Sequence, residues 1–210
     1  MATRQLQNYP AISLQPEILD GWIDFGVLFG RSGPVEIEIG SGKGTFLVQQ
    51  ARAFDQTCFI GIEWASKFYR FAVDRMGRWG VDNVRLIRTD AAQFIANHVP
   101  DNSVDGFHLY FPDPWPKQYH HRRRFFQADN LNRMLCCLKP SGWINIATDH
   151  LNYFEQMQKV AQQSVEAGTA TLIPFVRPVG VQEGEIVGTN YERKYQKEGR
   201  PTYTLALKKL

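Results

Sequence analysis

Val35-Glu36-Ile37-Glu38-Ile39 runs directly into Gly40-Ser41-Gly42-Lys43-Gly44, and Thr45 to Ala53 follows with helical spacing. A strand, a glycine loop and a helix in that order are the first half of a βαβ unit. The same alternation continues outward. Strands are expected at Cys58–Ile62, Val84–Ile87, Val104–Tyr110 and Trp143–Thr148. Between them, helices are expected from Ser66, as a cap, towards Trp79, then over Ala91–Asn97, Phe125–Leu138 and Leu151–Ala167. Phe68, Ala72, Met76 and Trp79 share one face of the first of these and read as a core stripe. Thr202–Leu207 alternates as a late strand, pairing with a segment near Leu172 to Val176. Strand and helix in alternation predict an α/β domain whose mostly parallel sheet is covered by helices on both faces. Ligands of such sheets bind beyond the C-terminal strand ends.

Residues 1–33, with Pro10 and Pro16, read as an N-terminal arm carrying a short helix around Glu17 to Trp22, and 34–210 as a single domain. With 210 residues, 43% apolar and 21% charged, the chain can bury a substantial core. It contains no apolar run near the ~18 residues of a membrane span, and MATRQLQNYP lacks a secretory signal's apolar stretch, so a cytoplasmic protein is expected. Cys58, Cys136 and Cys137 have neither zinc-site nor disulfide-framework spacing and are expected to be buried hydrophobes, with no metal bound. The net charge of +3 is unevenly distributed. Lys117, Arg122, Arg123 and Arg124 crowd one stretch without an acid, and Arg193, Lys194, Lys197, Arg200, Lys208 and Lys209 outnumber Glu192 and Glu198 in another. Two concentrated basic patches on an otherwise acidic body suit an anionic partner; solvated charge is the plainer reading of either alone.

The glycine loop admits three nucleotide-binding readings. A P-loop fails, because Ile37 stands where its first glycine belongs and Gly44 follows the lysine. A dinucleotide fingerprint needs GxGxxG, whereas this loop is GxGxG. The third ligand is S-adenosylmethionine, which carries an ammonium and a sulfonium and no phosphate. Glu38, just before the glycines, suits those cations. Glu63, after the second strand, can accept ribose hydroxyls, a role that dinucleotide enzymes share. Asp90, after the third strand, can meet an adenine amino group or cap the helix from Ala91.

Phe111-Pro112-Asp113-Pro114-Trp115-Pro116-Lys117 follows the fourth strand, with His120 to Arg124 close behind. Three prolines in five positions forbid helix and strand, so an irregular, stiffened loop is expected. An acid beside an aromatic suits a nucleobase edge and face, and the cations suit phosphate. The alternative is a surface loop whose Trp115 packs beneath it.

With these pieces in order, residues 35–207 resemble the tRNA (guanine-N7)-methyltransferase family. The resemblance is carried by EIGSGKG, GIE at 61–63, TDA around Asp90, FPDPWPK at 111–117, RRR at 122–124, ATD at 147–149 and TNYE at 189–192. It implies a Rossmann-like class I methyltransferase that modifies the variable-loop guanine, position 46, of tRNA. It places Glu38, Glu63, Asp90 and Asp113 against the methyl donor, with Gly40, Gly42 and Gly44 in the donor loop. Asp113 is also the implied catalytic residue. Lys117, Asp149, Thr189, Asn190, Tyr191 and Glu192 correspond to substrate positions, and no obligate protein partner is implied.

Guanine N7 has a free lone pair, so methylation needs positioning and screening of developing positive charge more than a general base. Asp113 and Asp149 are expected to hold the base, with Lys117 at phosphate or guanine O6. Arg122, Arg123, Arg124, Lys194, Lys197 and Arg200 are expected to follow the tRNA backbone. Tyr191 can stack or pack; Glu192 can accept from guanine or pair with Arg193 or Lys194. A methyltransferase for another RNA base, a nicotinamide-dependent oxidoreductase and a non-catalytic tRNA binder are the rival readings.

Overall fold

A computed structural model of the chain describes residues 5–15 and 20–210; the helix expected from Glu17 begins outside them, and Trp22 itself lies in a bend. The described residues form one eight-stranded sheet. Its strands are β1 (Ser13–Leu14), β2 (Val35–Ile39), β3 (Cys58–Ile62), β4 (Val84–Ile87), β5 (Val104–Tyr110), β6 (Leu138–Thr148), β7 (Ala170–Ile173) and β8 (Tyr203–Lys209). The order across the sheet is β1-β4-β3-β2-β5-β6-β8-β7. All pairings are parallel except those of β8, which runs antiparallel to both β6 and β7. The late strand therefore pairs as expected, with Leu172 opposite Leu207.

Side-chain alternation along the strands divides the interior in two. Val35, Ile37 and Ile39 point into a core shared with α1 (Phe25–Phe29), α4 (Ala91–His98), α5 (Ala128–Cys137) and α6 (Leu151–Glu166). The opposite face carries Phe59, Leu86 and Tyr110 against α2 (Thr45–Ala53) and α3 (Ser66–Trp79). Glu36 and Glu38, out of phase with the isoleucines, are thereby turned towards α2. Ile37, Ile60, Phe107 and Ile144 have no exposed surface, and burial of each such side chain contributes roughly 1.5–3 kcal/mol.

Several boundaries differ from expectation for local reasons. Within the described part of 1–33, β1 pairs with β4, and Ile23, Phe25 and Phe29 enter the core. Ser66 is the first residue of α3 rather than its cap, a position held by Ala65. Of the expected core stripe on α3, Ala72 and Met76 are buried but Trp79 is 52% exposed. α5 starts at Ala128 rather than Phe125, because Gln118–Arg123 forms a 3-10 helix and Arg124 and Phe125 are drawn inward behind it. A further helix, α7 (Asn190–Lys197), occupies the TNYE stretch. Cys58 and Cys137 are buried, whereas Cys136 is exposed. Among the described residues no helix is long and apolar enough to cross a membrane.

The chain runs from β2 to one side of the sheet and reaches β5 on the other, so a crevice opens between their C-terminal ends. The glycine loop leaves β2 at this crevice, and the proline-rich loop leaves β5 beside it.

Candidate active site

Gly40, Gly42 and Gly44 have φ of 78°, 55° and 67°. All three lie in the left-handed region, which explains glycine at each alternate position of the loop. The turn is tied down by Glu63, whose carboxylate accepts from the Gly42 N–H at 2.7 Å and from the Ala65 N–H at 2.7 Å. Burial raises the Glu63 pKa against those two amides, and the Asp113 charge raises it further. The carboxylates at the ends of β3 and β5 therefore feel one another.

Glu38 lies at the floor, 3% exposed, and its Oε2 has no hydrogen-bond partner. Burial pushes its carboxyl well above the usual range, and the nearby Glu63 charge adds to this. Ser41 Oγ beside it is also buried without a partner. Unsatisfied buried acceptors are costly, and they point to a ligand group that supplies hydrogens and positive charge. The ammonium and sulfonium of S-adenosylmethionine fit that donor set. Asp90 caps α4 by accepting from the Gln93 N–H at 3.0 Å, leaving its second oxygen on the cavity wall.

Two adjoining cavities, about 210 and 400 Å³, make up the site. The smaller is lined by Glu38, the glycine loop, Thr189, Asn190, Tyr191 and Lys194. The larger brings together Glu63, Asp90, Asp113, Trp115, Arg123, Asp149 and Tyr191. Phe68, Tyr110 and Tyr191 border both. Phe68 thus belongs to the cavity rather than to the expected core stripe, and Tyr110 was not anticipated as a wall. Its place at the last position of β5, directly before the prolines, was the available signal.

The proline-rich loop is irregular, as expected, with Phe111 and Trp115 held at φ of 50° and 42°. Such non-glycine residues store strain that the surroundings must over-determine. Arg124 supplies the restraint. Only 2% exposed, it donates from Nε to the Pro114 carbonyl (2.8 Å), from Nη1 to Gln156 (2.7 Å) and from Nη2 to Asn152 (2.8 Å). The Arg124 guanidinium, expected at the tRNA backbone, fastens the loop to α6 instead of facing solvent. Trp115 is half-buried on the cavity wall with the Arg123 guanidinium 5.0 Å from its ring, which is neither a core plug nor a free stacking face. Lys117, Arg122 and Arg123 remain exposed.

The TNYE stretch behaves differently. Thr189 accepts from the Glu192 N–H at 3.1 Å, the N-cap bond of a capping box. Glu192 has no exposed surface, and its carboxylate accepts from the Ile186, Val187 and Gly188 amides. It therefore holds the loop before α7 and turns no oxygen to the cavity, contrary to the substrate contact expected of it. Asn190 donates to Thr45 Oγ1 at 2.8 Å, tying α7 to α2. Tyr191 is 37% exposed over the glycine loop. Asp149 is ion-paired to Arg200 at 2.7 Å, so this carboxylate and this cation meet each other first. Arg200 also reaches Glu198 at 3.0 Å, and Lys194 lies 3.9 Å from Glu198. Lys197 is exposed.

A sequence-family model described as putative methyltransferase matches residues 32–205. A tRNA (guanine-N(7)-)-methyltransferase of Rhodopirellula baltica is 33% identical over 211 residues, covering 95% of this chain and 77% of that protein. One from Streptococcus thermophilus is 32% identical over 204 residues, covering 96% and 92%. Among solved structures, the 16S rRNA methyltransferase KamB superposes with a TM-score of 0.64 at 14% identity, covering 91% of this chain and 95% of that one. That likeness is one of fold.

Proposed function

Given that the chain belongs to the tRNA (guanine-N7)-methyltransferase family and uses S-adenosylmethionine, we propose that it methylates N7 of the variable-loop guanine, position 46, of tRNA. One observation carries the reading: Asp113, on the loop after β5, lines the same cavity as Glu63 and Asp90 from the two preceding strand ends. A donor held by the latter two is then within the reach of a base held by the former.

When bound, S-adenosylmethionine supplies an electrophilic methyl group on a positively charged sulfur. Glu38 gives its unpartnered Oε2 to the cationic end. Burial and the Glu63 charge raise its pKa, and positive charge arriving beside it favours the carboxylate form. Glu63, already accepting two amides, offers its remaining lone pairs to ribose hydroxyls. Asp90 offers the oxygen not used by Gln93 to the adenine edge. Asp113, exposed towards the cavity, accepts hydrogens from the guanine edge. It also screens the positive charge that grows on the imidazole half of the base, and so acts as the catalytic residue. Tyr191 covers the glycine loop and Lys117 approaches from the rim. Asp149, paired to Arg200, is the second acid on the guanine side and orients the base.

The test is methylation of unmodified tRNA followed by borohydride–aniline cleavage at 7-methylguanosine. Cleavage at position 46 is expected. A methyl group on another base, or on another guanine, overturns the assignment.

A further inference from the structure

A third group of cations lies on α2 and α3, outside the two basic stretches of the sequence. Arg52 on α2 and Arg75 and Arg78 on α3 surround a recess of about 430 Å³, completed by Thr45, Gln49 and Trp79. The acids nearby are already engaged. Asp74 accepts from Arg78 Nε at 3.0 Å and from the Gln7 N–H at 3.2 Å, and Glu185 is paired with Arg193. Arg52 and Arg75 make no ion pair among the described residues.

Arg75 is the more telling of the two. It is half-buried, it donates from Nη1 to Thr45 Oγ1 at 2.5 Å, and the charged groups acting on it are the like charges of Arg78 and Arg193. A partly desolvated cation among other cations is unfavourable unless an anion completes the site. Arg52 is held in place by stacking, its guanidinium 4.5 Å from the Trp79 ring. That arrangement leaves the in-plane N–H fork free, and a planar fork matches two oxygens of a phosphate. Trp79 is itself 52% exposed, so the recess is open to a large ligand. Thr45 also lines the smaller cavity and accepts from Asn190, so the recess adjoins that cavity at the start of α2.

We propose that the Arg52–Arg75–Trp79 recess is a phosphate-binding subsite for the tRNA backbone, extending the substrate footprint across α2 and α3. The inference rests on tRNA being the substrate. It does not depend on which guanine is methylated.

Arg52→Gln, Arg75→Gln and Arg75→Lys variants test it through three readouts: tRNA affinity across a salt series, S-adenosylmethionine affinity by calorimetry, and the thermal transition. Each glutamine variant removes one cation from the phosphate. It should bind tRNA about three- to tenfold more weakly at moderate salt, with a salt slope smaller by about one. Arg75→Lys should recover part of the loss. Donor affinity should stay within about twofold. Because Arg75 is half-buried, the exposed Arg52→Gln variant serves as the arm free of folding effects. Unchanged tRNA affinity and slope in a folded Arg52→Gln protein would overturn the proposal. So would a loss confined to donor affinity in Arg75→Gln, which would assign Arg75 to the donor cavity. Should the wild-type protein neither bind nor methylate tRNA, the family function would fail instead, and the two failures are distinguishable.

Discussion

The stretch 111–124 points its charges outward; the stretch 185–200 engages its own. In the first, the single buried cation, Arg124, is the fastening, while Lys117, Arg122 and Arg123 face solvent and make no ion pair among the described residues. In the second, Glu185 holds Arg193, Glu192 holds three amides, and Arg200 bridges Asp149 and Glu198. Both stretches are rich in Arg and Lys, yet a partner's field is set by the cations left over after the fold has supplied counterions. The first stretch is an outward-facing cationic surface held by one buried bolt. The second is a self-neutralised cover over the glycine loop.

Exchanging one acid for its amide on each side gives the largest contrast. Asp113→Asn should leave the thermal transition in place, since this exposed carboxylate caps and pairs with nothing in the loop. Methyl transfer should fall by about 10²–10³-fold, the usual cost of losing one preorganised charge at a transition state. Retained turnover in single-turnover assays with saturating tRNA would remove Asp113 from catalysis. Arg124→Ala attacks the bolt. Three acceptors lose their charged donor and a buried side chain is deleted, and about 2–4 kcal/mol of stability should go with them, measured by urea unfolding. A folded Arg124→Ala protein should also turn over slowly at normal tRNA affinity, because Asp113 is then held loosely; weakened tRNA binding alone would return Arg124 to the RNA surface. On the other side, Glu192→Gln keeps the shape but weakens the charge-assisted bonds to residues 186–188, costing about 1–2 kcal/mol. Hydrogen exchange should quicken at those amides and in α7, and not at the proline-rich loop.

The donor half of the site was legible because sheet geometry writes it into the sequence. Glu38, Glu63 and Asp90 each sit at or just past a strand end, and the GxGxG spacing matches three left-handed residues. Asp113 could be placed by the same rule, with prolines announcing the loop. The other half depends on partners far along the chain. Arg124 meets Asn152 and Gln156 on α6, and Asp149 meets Arg200, 51 residues away. No local pattern separates such an arginine from one meant for RNA. Glu192 was the intermediate case: Thr189-x-x-Glu192 is a capping-box spacing, and reading it as one would have predicted the start of α7 and a carboxylate turned back on the preceding backbone, though not onto the amides of 186–188. The Arg52–Arg75–Arg78 recess escaped because its members come from two helices, with Arg52 distant in sequence from the other two and Asp74 adjoining Arg75.

A pairwise charge comparison should then separate the surfaces at smaller amplitude. Arg122→Ala with Arg123→Ala should weaken tRNA binding several-fold and lower the salt slope by about two, one for each released phosphate. Arg200→Ala should leave the slope nearly unchanged, since its charge is already balanced by Asp149 and Glu198. Equal slopes for the two variants would erase the distinction between the stretches.

The smallest effect is a pH dependence confined to the second stretch. The Arg193 guanidinium, hydrogen-bonded to Glu185, holds that carboxyl below its ordinary value of 4.5, against the opposing pull of burial. The folded-state pKa is therefore below the unfolded one. Stability from the pair is fully present above the unfolded value and disappears as pH falls through the folded one. Glu185→Gln should accordingly be less stable than the parent at neutral pH, by under about 1 kcal/mol because Arg193 is partly exposed. The gap should close on acidification below the ordinary carboxylate range. Arg122 and Arg123, which make no ion pair among the described residues, should produce no such convergence when replaced. Denaturant melts of both proteins across that range measure it directly. A gap that stays constant from neutral to acid would mean that Arg193 and Glu185 contribute packing rather than charge, and that the second stretch is not self-neutralised at this point.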